Sequence, residues 1–69
     1  MRTIAKVTGF ELQLGFVDLE IRLHERTATT PAMISFHCAD RPDTFFTPRE
    51  AGRISEALLR AVQQAGDVA

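Results

Sequence analysis

The tetrapeptide Thr47-Pro48-Arg49-Glu50 is a written helix start, and it obliges the preceding residues to supply a surface for that helix to lie on. Thr47 can accept a hydrogen bond from the Glu50 amide while the Glu50 carboxylate accepts from the Thr47 amide, which satisfies two otherwise unpaired donors. Pro48 falls at the first helical position, where a missing N–H costs nothing. Ala51, Ile54, Leu58, Ala61, Val62 and Ala65 then recur at spacings of three and four, the pattern of a helix with one buried stripe. Arg49, Arg53, Glu56, Arg60, Gln63 and Gln64 fall on the opposite side. Glu56 precedes Arg60 by four residues, an orientation worth about 0.3 kcal/mol on an exposed face. Gly66 ends the helix, because glycine takes the left-handed conformation without penalty. Gly52 costs about 1 kcal/mol relative to alanine inside the first turn, and close approach of a neighbouring strand is the expected reason.

Upstream, the periodicity is two. Residues 3–7 read as a short first strand. From Phe10, apolar Phe10, Leu12 and Leu14 alternate with Glu11 and Gln13, and Val17, Leu19, Ile21 and Leu23 alternate with Asp18, Glu20, Arg22 and His24. The phase slips by one at Gly15-Phe16. Either a bulge in one long strand or a two-residue hairpin turn led by Gly15 absorbs that slip. The hairpin is favoured, because a strand from Phe10 to His24 exceeds the usual limit of about 10 residues. It pairs Leu14 with Val17 and Phe10 with Ile21, placing every apolar residue on one face, but it sets Glu11 against Glu20.

Residues 25–32 form a polar loop, after which Ile34, Phe36 and Cys38 alternate with Met33, Ser35 and His37 as another half-buried strand. Antiparallel pairing matches Leu23 with Ile34, Ile21 with Phe36, Leu19 with Cys38 and Glu20 with His37. Asp40-Arg41-Pro42-Asp43 is a turn by composition, and Phe45-Phe46 lead into the helix cap. The expected fold is α+β, a single domain over residues 1–69: a small antiparallel meander of three to four strands with one C-terminal amphipathic helix packed on one face.

A chain of 69 residues buries only about 60% of its unfolded surface, so self-association is the expected source of extra stability. Leu59 lies off the helix stripe, and Phe16 and Phe45 have no assured cover. These three are the expected self-association residues of a homodimer joined through an uncovered apolar strip or through a sheet edge. The single cysteine, Cys38, excludes an intrachain disulfide. Residues 1–6 contain no apolar core of signal-peptide length and no run reaches spanning length, so a cytoplasmic location without membrane contact is expected. A net charge of -1 with interspersed signs disfavours a general polyanion binder.

His24, His37 and Cys38 are the soft ligands in the chain, and three such groups can hold zinc. The expected register leaves the two histidines out of direct opposition and turns Cys38 to the other face, so no metal is expected. Cys38 and His37, adjacent on a strand, point to opposite faces. Ser35 shares His37's face, but a flat sheet offers no pocket to exclude water. No catalytic residue and no cofactor are expected, and the chain reads as a non-enzyme. Candidate partner-binding residues are Glu20, Arg22, His24 and His37 on the outer sheet face and Arg49, Arg53 and Arg60 along the helix, where arginines can clamp phosphates or a carboxylate-rich partner.

The segment Phe46-Thr47-Pro48-Arg49-Glu50-Ala51, continuing through Ala57-Leu58-Leu59 and Ala61, resembles a loose group of short bacterial and phage-borne strand-strand-helix proteins of unknown function. Gly52-Arg53 and His37-Cys38 depart from that group's pattern, and the resemblance implies a shape and no site. The expected function is a small protein-binding module, with inhibition of a host complex as the use implied by a phage setting. The alternative is a nucleic-acid-binding accessory protein that uses the helix arginines.

Overall fold

A computed structural model describes residues 1–66. Four strands form one antiparallel sheet in chain order: β1 (Arg2–Glu11), β2 (Gly15–His24), β3 (Met33–Cys38) and β4 (Thr44–Phe46), followed by α1 (Pro48–Ala65). The fold is thus the expected α+β meander with its helix packed against the sheet.

The helix begins as its sequence dictates. Thr47 Oγ1 accepts from the Glu50 amide at 3.2 Å, and Glu50 Oε1 accepts from the Thr47 amide at 2.9 Å. At the other end Gly66, with φ 80°, donates to the Gln63 carbonyl. Two helix expectations fail. A Cβ built on Gly52 would meet nothing within 4 Å, so no strand approaches it. Glu56 and Arg60 form no ion pair within salt-bridge range, consistent with two long exposed side chains gaining little from being held together.

The β2–β3 register is the expected one, with Leu19 opposite Cys38, Ile21 opposite Phe36 and Leu23 opposite Ile34. The β1–β2 connection is a hairpin, as favoured, but its turn and register differ. β1 is one continuous strand, and a three-residue loop, Leu12–Leu14, replaces the expected Gly15-Phe16 turn. Gly15 sits just after that loop at φ 80°, a left-handed conformation that suits glycine. Phe10 therefore faces Phe16 and not Ile21, and Leu14 lies in the loop instead of opposite Val17.

The physical reason is the length of ladder gained. This register pairs β1 with β2 from Gly15 to Leu23, with one irregularity between Thr3 and Ala5. It places Lys6, not Glu11, opposite Glu20, and brings Thr8 Oγ1 to 2.7 Å from the Asp18 carboxylate. Glu11 is released to accept from the Leu14 amide across the loop at 2.6 Å.

Ala5, Val7, Val17, Leu19, Ile21, Leu23, Ile34, Phe36, Cys38 and Phe46 share the face on which α1 lies. That face is only partly covered. Among the described residues no apolar side chain is fully buried, and the one fully buried residue is Ser35. On the helix Ala51 and Ile54 are half-buried, whereas Leu58, Leu59 and Val62 are exposed. The molecule is a plate of 43 × 27 × 16 Å with a radius of gyration of 14.0 Å. A compact domain of this length would have about 11 Å.

Candidate functional site

The face of the sheet away from the helix carries a connected polar network, built by alternation along β2 and β3. Arg22 lies at its centre. Its guanidinium donates to Glu20 Oε2 at 2.7 Å and approaches Asp43 Oδ2 at 3.5 Å. Thr3 Oγ1 donates to the other Glu20 oxygen at 2.9 Å. Asp43, carried on the β3–β4 connection, also meets His37 Nδ1 at 2.7 Å. His37 is thus opposite Glu20 in register, as expected, but its carboxylate partner is Asp43. The Arg22 hydrogen bond, reinforced by that of Thr3, holds the Glu20 carboxyl below its usual range, and the same Glu20 contact raises the Arg22 guanidinium. The Arg22 Nε is buried without a hydrogen-bond partner.

Beside this network, Ser35 Oγ lies 2.8 Å from His24 Nε2. The separation is that of a nucleophile and its base. Ser35 has no accessible surface, however, and Phe45, its neighbour on β4, packs against the His24 ring with centroids 5.1 Å apart. The Asp43 carboxylate orients His37, a different imidazole, so serine, base and orienting acid do not converge on one group. No cluster of three or more metal-ligating side chains occurs among the described residues. Cys38 is a half-buried free thiol on the opposite face.

Neither family models, nor curated proteins, nor solved structures match the chain. Its surfaces must therefore be read from their own geometry.

The seven candidate partner-binding residues separate into two groups. Glu20, Arg22, His24 and His37 come together on the outer sheet face, and each is bonded to a neighbour within the chain. Arg49, Arg53 and Arg60 line α1, with no carboxylate among the described residues in salt-bridge range. The three self-association candidates are all exposed but scattered: Phe16 on the β1–β2 hairpin, Phe45 on the edge strand and Leu59 on the helix.

Two further surfaces escaped the periodicity. One is an apolar groove of about 300 Å³ between helix and sheet, lined by Ile21, Ile34, Phe36, Ala51, Ile54 and Leu58, with Ser55 as its polar member. The other is the end of the β1–β2 hairpin. Residues 8–18 extend past the last β2–β3 pair, Leu19–Cys38, as a two-stranded finger. On it Leu12 is 91% exposed, Phe16 80%, Phe10 65% and Leu14 54%. The Phe10 and Phe16 rings meet edge to face, 5.4 Å apart. Read as a core strand, Phe10-Leu12-Leu14 gave no sign of this. The one available signal was Gly15, whose left-handed preference also suits a three-residue loop.

Proposed function

We propose that the chain is a small non-enzymatic protein-binding module that works as a homodimer. The observation that carries this reading is the absence of a fully buried apolar side chain among the described residues. The accessible surface is 5698 Å² for a 7.7 kDa chain, about 1,400 Å² more than a compact monomer of that mass exposes. A permanent interface removes about 1,000–2,500 Å² from each partner, so the surplus is of the size one interface closes. Sedimentation equilibrium tests the association: a dimer at micromolar concentration supports it, and a monomer there refutes it.

The non-enzymatic part rests on the inaccessibility of Ser35 and on the engagement of Glu20, Arg22, His37 and Asp43 with one another. The binding part rests on Arg49, Arg53 and Arg60, which have no carboxylate in salt-bridge range among the described residues and suit an acidic partner surface. A dimer closed through the helix-bearing sheet face presents two such arginine rows and two outer sheet faces to that partner. Inhibition of a host complex is one use for such a module, in line with the phage-like helix start. Those same arginines favour a nucleic-acid partner as the second reading. Capture of partners from cell extract at rising salt separates the two. Nucleic-acid binding falls steeply with salt and is lost with Arg49→Glu plus Arg53→Glu, whereas a protein partner responds more to changes on the outer sheet face.

A further inference from the structure

We infer that the homodimer proposed above is reciprocal: the β1–β2 finger of each copy occupies the apolar groove between helix and sheet of the other. This specifies where that dimer closes and rests on the homodimer reading. Each chain carries one apolar projection that it cannot bury and one apolar recess that it does not fill.

The projection bears Leu12 and Leu14 on its loop and, on the sheet face away from the helix, Phe10 and Phe16, all exposed in the single chain. Its connecting loop is short and braced, because the Glu11 carboxylate accepts from the Leu14 amide and Arg41 reaches the same carboxylate at 3.9 Å. Leu12 and Leu14 are therefore held outward on a defined loop. The recess is lined almost wholly by apolar side chains, and its outer wall, Leu58, is itself 60% exposed. Leu59 and Val62 on the same helix are exposed as well.

Occupation by a second copy answers both deficits with one symmetry operation. In a two-fold dimer the contact of one protomer's finger with its partner's groove is matched by the reverse contact, so the interface is self-complementary and closed. Two such contacts divide a surplus of about 1,400 Å² per chain, a range that permanent dimers reach. The same arrangement covers Leu58, Leu59 and Val62 with apolar side chains from the partner. It leaves the Glu20–Arg22–Asp43–His37 network and the helix arginines on the outside.

Paired substitutions test this. Leu14→Asp on the finger and Leu58→Asp in the groove change exposed positions, so far-UV circular dichroism should report a retained fold, while sedimentation equilibrium should show each variant as a monomer. A covalent trap avoids dependence on those variants. In a Cys38→Ala background, Leu14→Cys together with Ser55→Cys should give a disulfide-linked dimer on mild oxidation, and either cysteine alone should give much less. A wild-type dimer that survives both aspartate substitutions and resists the trap overturns the reciprocal arrangement and leaves the homodimer standing. A wild-type monomer at tens of micromolar overturns both. Flotation of that monomer with phosphatidylcholine/phosphatidylglycerol vesicles, abolished by Leu14→Asp, would assign the finger to a lipid surface instead.

Discussion

The middle of the sheet and its projecting hairpin are made of similar residues, yet they end in opposite conditions. Around Ile21 and Phe36 each strand has neighbours on both sides, a helix above and a hydrogen-bonded polar network below. Around Phe10 and Phe16 there are two strands only, and these rings, on the face opposite Ile21 and Phe36, stand in solvent. Alternation says which residues share a face. It does not say whether anything covers that face. Where three strands meet, the chain supplies the cover; beyond Cys38 it does not.

Changes to the two regions should therefore differ in kind. The largest effect is expected from Phe36→Ala, which removes a ring packed 5.1 Å from Phe46 and lining the groove. It should cost about 3 kcal/mol in chemical denaturation. Thr47→Ala removes the helix cap and should cost about 1 kcal/mol. A loss near zero would mean that the helix contributes little to holding the groove open. Ala39, at φ 48°, occupies the left-handed region in the β3–β4 connection. Ala39→Gly should stabilise by about 0.5 kcal/mol, because relief of the strained backbone outweighs the extra freedom of the unfolded chain.

The polar network gives a pH signature. Glu20 titrates below its ordinary range when folded. Its contribution is complete above the ordinary carboxylate pKa and is lost as pH falls through the lowered folded value. Glu20→Gln should therefore lower stability at neutral pH and flatten the acid limb of the stability profile. An unchanged acid limb would place the acid sensitivity elsewhere. The smallest effect is expected from Leu12→Ser. At concentrations too low for association it should change stability by less than about 0.5 kcal/mol. In concentrated solution it should erase the rise of melting temperature with concentration that a dimer shows.

The helix was almost fully legible, because caps and stripe are local: Thr47, Pro48, Glu50 and Gly66 specify their roles within one turn. The β2–β3 register was legible for a different reason. Both strands have one apolar and one polar face, and a slip of one residue would exchange them. The β1–β2 register was not. Phe10, Leu12 and Leu14 satisfied a period of two that a continuous β1 overrides, since a longer ladder with Lys6–Glu20 and Thr8–Asp18 pairs outweighs a uniform apolar face. The Asp43 contacts with His37 and Arg22 were also hidden, because they come from a connection whose path no alternation constrains. Of the candidate site, the sequence identified Glu20, Arg22, His24 and His37 as sharing a face, but not that they would be bonded within the chain.

Backbone amide hydrogen exchange at two protein concentrations bears most directly on the claim that a second copy completes this fold. Amides in residues 8–18 and in the helix turns from Leu58 to Val62 should exchange more slowly at tens of micromolar than in dilute solution, while those of β3 should change little. Equal exchange rates in the finger at both concentrations, in a sample shown to remain at the 7.7 kDa of one chain, would contradict it.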